Sequence, residues 1–109
     1  MEREQLIWLA GWLEGEGSFG THKASLQPII QGESTDLDVV ERASIIAGSK
    51  LYGPYISNHN NLKKRPKSVK PYYKISLWGK PAAELMMSLY PLMGTRRRGQ
   101  ILIALRATK

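Results

Sequence analysis

Residues 6 to 17 constrain this 109-residue chain more than any other stretch. Leu6, Ile7, Leu9, Ala10 and Leu13 recur at helical spacing, and the apolar run then stops at Glu14-Gly15-Glu16-Gly17. This pattern predicts a helix over residues 2 to 14. Gly11 and Gly15 lie four apart, so they share one helical face, where small residues let a second backbone approach closely. The expectation is a helix packed tightly against a like helix. It ends in two carboxylates that gain nothing from burial, and Gly17 lets the chain turn into a strand.

The rest of the pattern is mixed. Residues 18 to 24 and 26 to 32 read as two short strands, the second marked by Pro28-Ile29-Ile30. Thr35 begins a capping-box pattern with Asp38, predicting a helix to about Ala47 that Gly48 stops. Leu51 to Asn58 reads as a third strand, and residues 59 to 69 as a polar, basic loop. Lys70 to Trp78 alternates Tyr73, Ile75 and Leu77 with Tyr72, Lys74, Ser76 and Trp78, the period of a half-buried strand. Pro81 suits the first position of a helix to about Tyr90, and a last helix is expected from about Arg97 to Ala107. The order α-β-β-α-β-β-α-α, without repeats, predicts one α+β domain. Its sheet is four-stranded and antiparallel, with helices on one face and the other face open.

Charge narrows the partner. The net charge is +7, and the distribution is uneven. Arg3, Lys23 and Arg42 are the only Lys or Arg before residue 50, and the other thirteen lie from Lys50 onward. Clusters at Lys63-Lys64-Arg65-Pro66-Lys67 and at Arg96-Arg97-Arg98 point to a polyanion, with nucleic acid favoured over an anionic membrane surface. The absence of cysteine excludes disulfides and thiolate metal sites. With two histidines, any metal would have to be held mainly by carboxylates and backbone oxygens. No apolar run approaches a membrane span, and the first residues lack the shape of a secretion signal, so an interior compartment is expected.

Leu9-Ala10-Gly11-Trp12-Leu13-Glu14-Gly15-Glu16-Gly17 resembles the nine-residue motif of the LAGLIDADG homing endonucleases. The departures are Trp for the second leucine, Leu for isoleucine, Gly for alanine and Glu for both aspartates. The similarity extends to Lys80-Pro81, which begins a helix, and to Leu89-Tyr90-Pro91-Leu92 leading into a basic, glutamine-containing helix. The resemblance implies site-specific cleavage of double-stranded DNA with a divalent cation such as magnesium. One motif implies a homodimer on a long, nearly palindromic site, joined along Ile7, Trp8, Gly11, Trp12 and Gly15. It makes Glu16 the catalytic metal ligand, with the Gly15 carbonyl as a second oxygen, and gives Glu14 a structural place at the helix end. Lys80 is implied to stand near the scissile phosphate, and Gln31 to organise water. The same resemblance allows a non-cleaving DNA-binding regulator or an RNA-splicing maturase.

The open sheet face would then lie in the major groove. With Phe19 pointing inward, parity turns Ser18, Gly20, His22 and Ala24 toward DNA on the first strand. It does the same for Gln27, Ile29 and Gln31 on the second, and for Tyr72, Lys74 and Ser76 on the fourth. Lys63, Lys64, Arg65 and Lys67 are expected at phosphates, and Arg96 to Arg98 either there or in solvent.

Overall fold

In the computed structural model, which describes residues 1–56 and 70–107, the elements follow the expected order. They are α1 (Arg3–Glu16), β1 (Gly17–Thr21), β2 (Pro28–Ser34), α2 (Leu37–Ala47), β3 (Lys50–Tyr55), β4 (Tyr72–Trp78), α3 (Lys80–Leu89) and α4 (Thr95–Ala107). A short 3-10 turn, Tyr90–Leu92, separates the last two helices, where Pro91 removes a backbone donor. The strands form one antiparallel sheet in the order β1-β2-β4-β3.

Several ends differ from the sequence reading, each for a local reason. Helix α1 runs to Glu16, and the Gly17 N–H closes its last turn on the Leu13 carbonyl. Strand β1 ends at Thr21 because residues 22 to 27 form the hairpin connection. There the His22 N–H bonds the Gln27 carbonyl at 2.8 Å, the Leu26 N–H bonds the His22 carbonyl at 2.8 Å, and Leu26 takes a φ of 55°. His22, Ala24 and Gln27 therefore belong to the turn and not to strands. Pairing resumes at Thr21 and Pro28, and β2 continues to Ser34.

The capping pattern assigned to Thr35 is not used. Asp36 is the N-cap of α2, and its N–H is accepted by the Ser34 hydroxyl at 3.1 Å. Gly48, in the left-handed region at φ 70°, ends the helix as expected. Strand β3 pairs with β4 through an irregularity between Tyr52 and Tyr55 and stops at Tyr55. The remainder of the stretch read as strand to Asn58, and the basic loop, lie outside the described residues.

The inner face of the sheet carries Phe19, Ile30 and Ile75, which pack with Leu9, Leu13, Val40, Met86, Leu89 and Ile101 from the four helices. Each fully buried Leu or Ile contributes about 1.5–3 kcal/mol of transfer free energy. Gly32 lets α1 approach the sheet: a β-carbon there would lie 2.7 Å from Trp12 Cζ3. Trp12 thus rests on β2. Trp8 stacks on it at 6.3 Å between ring centroids, and the Arg42 guanidinium lies 4.3 Å above Trp8. The two indoles expected at an interface between copies are engaged within the chain. The exposed stripe of α1 is Ile7, Gly11 and Gly15, and a β-carbon on either glycine would meet nothing within 4 Å.

Candidate nucleic-acid interface and hydrolytic site

The end of α1 treats its two glutamates differently. A Glu14 carboxylate oxygen accepts the Gly94 N–H, and Arg97 Nε donates to the Glu14 carbonyl oxygen at 3.1 Å. Arg97 Nε also lies 3.8 Å from Glu14 Oε2. Arg97 is only 6% exposed, and its Nη1 donates to Gln100 Oε1 at 3.0 Å. Glu14 is therefore bound into the junction of α1 with α4. Glu16, two residues on, is exposed and has no hydrogen-bond or ion-pair partner among the described residues. Its carboxylate stands where the last carbonyls of α1 lack intrahelical donors and favour a cation.

Glu16 opens onto the outer face of the sheet. With Gly17, Ser18, Gln31, Gly32, Glu33 and Lys74 it lines an open hollow of about 310 Å³. Register explains the grouping. Ser18 pairs with Gln31 and Gln31 with Ser76, while Glu33 pairs with Lys74 and Lys74 with Tyr52. Gly20, Ile29 and Trp78 make a third row across the sheet. Toward that end a second hollow, of about 370 Å³, is lined by His22, Ser25, Gln27, Ile29, Ser76 and Trp78. The face is polar and charged near Glu16 and more apolar away from it.

No family model matches the chain, and none of the curated proteins does. Among solved structures, the homing endonuclease I-CvuI in complex with its target in the presence of 2 mM Ca superposes with a TM-score of 0.60 at 13% identity. That match covers 95% of this chain and 66% of that one. The same enzyme with the I-CreI target in 2 mM Mg, the DNA not cleaved, gives a TM-score of 0.59 at 13% identity, covering 96% and 66%. The fold is that of the LAGLIDADG homing endonucleases. The chain spans about two thirds of the length of these matched structures.

Within the LAGLIDADG fold, the motif-like stretch fills the second half of α1, as its resemblance implies. Glu16, Ser18 and Gln31 come together at the first hollow, with Lys74 beside them, while Gly15 precedes Glu16 on α1 and does not line it. Lys80 does not join them. Strand β4 stops at Trp78, Gly79 takes a φ of 78°, and Lys80 is the first residue of α3. The alternation that would have carried Lys80 onto the open face is broken at Gly79. The Gly79 N–H bonds the Pro28 carbonyl, whereas Glu16 adjoins Gly17 opposite Gly32. Four residues of β2, about 13 Å, separate those two levels.

Tyr72 is also on the outer face, tilted against Tyr55 at 5.5 Å, and the Lys74 ammonium lies 5.3 Å over the Tyr55 ring. His22 and Gln27 reach the second hollow from the turn. Lys63, Lys64, Arg65 and Lys67 fall outside the described residues. Arg98 is tied to the Tyr90 and Pro91 carbonyls, leaving Arg96 as the member of the triplet exposed to solvent and without a partner among the described residues.

Sequence reasoning missed Glu33, Lys50 and Tyr52 on the open face, and put Trp78 there without giving it a role. The signal for Glu33 was present: it follows Ile29 and Gln31 at a period of two, but the strand was ended at residue 32, two residues before its end at Ser34.

Proposed function

We propose that the chain is a divalent-metal-dependent, site-specific endonuclease of double-stranded DNA that works as a homodimer. The observation that carries this reading is the placement of Glu16. An unengaged carboxylate at the end of α1 lies beside an exposed glycine stripe and opens onto a polar sheet face.

The donor set suits a hard cation. Glu16 supplies a carboxylate and Gly15 a helix-terminal carbonyl, and magnesium takes few protein oxygens and completes its shell with water and phosphate. Among the described residues no three His, Cys, Asp or Glu converge, so in this reading each copy offers Glu16 as its acidic ligand and needs a second copy to complete the site. A second copy, docked along Ile7, Gly11 and Gly15, would bring its own Glu16 beside the first. When bound, the metal would acidify an attacking water and neutralise charge on the phosphate. Gln31, in the same hollow, would orient that water by hydrogen bonding. Glu14, held by Gly94 and Arg97, fixes the helix end and with it the position of Glu16. Lys80, at the other end of the sheet, is suited to the DNA backbone and not to the scissile phosphate. Ser18, Gly20, Gln31, Tyr72, Lys74 and Ser76, together with His22 and Gln27 from the turn, would face the major groove.

The test is cleavage of a plasmid library carrying candidate sites, with magnesium and with EDTA, by wild type and Glu16→Gln. Cutting is expected only from wild type with magnesium. Cutting that survives both EDTA and the substitution would sink the Glu16 assignment. Binding without any cutting by wild type would instead support a regulator of the same fold.

A further inference from the structure

The outer face of the sheet has a chemical polarity that the proposed cleavage chemistry does not use. At the level nearest Glu16, Glu33 and Lys74 are cross-strand partners with side chains on the same face. They form no ion pair: among the described residues the only oppositely charged groups within 4.0 Å are those of Arg97 and Glu14, and the Lys74 ammonium lies over the Tyr55 ring with its N–H groups free of a carboxylate. An acceptor and a donor therefore stand side by side, about 5 Å apart at their Cβ atoms, without neutralising each other. A G·C pair offers the complementary set in the major groove, a donor at C N4 and acceptors at G O6 and N7. Glutamate suits the first and lysine the second.

Four residues along β2, Ile29 pairs with Trp78, which is 50% exposed. These two apolar side chains form one wall of the second hollow on a face that otherwise favours water. An apolar pair left open among polar groups marks a contact surface. In the major groove the apolar feature is the thymine 5-methyl. The separation of the two levels is about 13 Å, or about three to four base pairs.

We propose that this face reads a half-site of fixed polarity: Glu33 and Lys74 together recognise a G·C pair on the Glu16 side, and Ile29 with Trp78 receives a thymine methyl three to four base pairs farther out. The inference rests on the double-stranded DNA reading above and names the base order within it. Gln31, on the intervening row, is left to either an adenine edge or the water it would orient.

The test is selection from a synthetic duplex pool randomised over its central segment, using wild type, Glu33→Gln and Trp78→Ala. Glu33 and Trp78 are solvent-exposed, so neither substitution opens the core. Wild type should enrich half-sites with an inner G·C pair and an outer T·A pair at that spacing. Glu33→Gln should lose at least about fivefold of the preference at the inner pair and keep the outer one. On the selected duplex, uracil for the outer thymine should weaken wild-type binding about fourfold, the value of one methyl group, and leave Trp78→Ala unchanged.

An identical enriched sequence from Glu33→Gln, or a wild type indifferent to uracil, overturns the assignment. Cleavage lost in Glu33→Gln with the selected sequence unchanged also overturns it, and moves Glu33 to the hydrolytic site. A wild type that retains no duplex overturns the DNA reading itself, an outcome distinct from the other three.

Discussion

Replacing Gly11 by alanine separates the stability of one chain from the association of two. Gly11 sits inside α1, and an added β-carbon meets nothing within 4 Å. In the isolated chain the substitution removes a helix-interior glycine without a clash, worth about 0.8–1 kcal/mol of stabilisation. That corresponds to a rise in Tm of roughly 4 °C for a domain of this size. In a dimer joined along the same stripe, each copy would place a methyl where the helices must meet. Overpacking of a close contact costs about 1–3 kcal/mol, so the dissociation constant should rise by at least about fivefold. The two effects have opposite signs. Urea melts at low protein concentration measure the first, and sedimentation equilibrium with and without DNA measures the second. A variant that is stabilised yet dimerises as tightly as wild type would remove α1 from the interface. A wild type that stays monomeric at micromolar concentration, with DNA present, would remove the homodimer.

Further substitutions separate residues held by inner contacts from exposed ones. Gly32→Ala drives a β-carbon to 2.7 Å from the Trp12 ring, so stability should fall by about 1–3 kcal/mol with a shift in tryptophan emission, read by a fluorescence-monitored melt. Arg97→Ala leaves the Glu14 carbonyl without its donor and should cost about 2 kcal/mol, whereas Arg96→Ala should leave the melt unchanged and lower the salt dependence of DNA binding by about one charge. Glu16→Gln should melt within about 0.5 kcal/mol of wild type, since the side chain is exposed and has no partner among the described residues, so any loss of cleavage is chemical.

The fold was legible because its signals are periodic. The alternation from Tyr72 to Trp78, the inward Phe19 and the stop at Gly48 are each set by a few neighbouring residues, and all three hold. The errors arose where one residue's backbone or one distant contact decides. Lys80 was placed near the scissile phosphate by resemblance, and the positive φ of Gly79 breaks the alternation that would have carried it onto the open face. Glu33 was lost to a strand end placed two residues early. Trp8 and Trp12 share a helix with the glycine stripe, but no local pattern could show that Gly32 opens room for Trp12 against the sheet. Nor could Arg97 be separated from Arg96 and Arg98, since its burial depends on a carbonyl 83 residues away.

That last contact limits how the chain can be recombined. Glu14 is gripped by the backbone of Gly94 and by Arg97, so the angle at which α1 delivers Glu16 is set from the start of α4. The first and last helices are one inherited unit despite standing at opposite ends of the chain. A chimera that took residues 1–17 from a relative and kept its own residues 94–107 would fold around a mismatched clasp. Exchanged together, the two segments should transfer the geometry of the helix end between scaffolds, while the sheet between them could be redesigned for a new target.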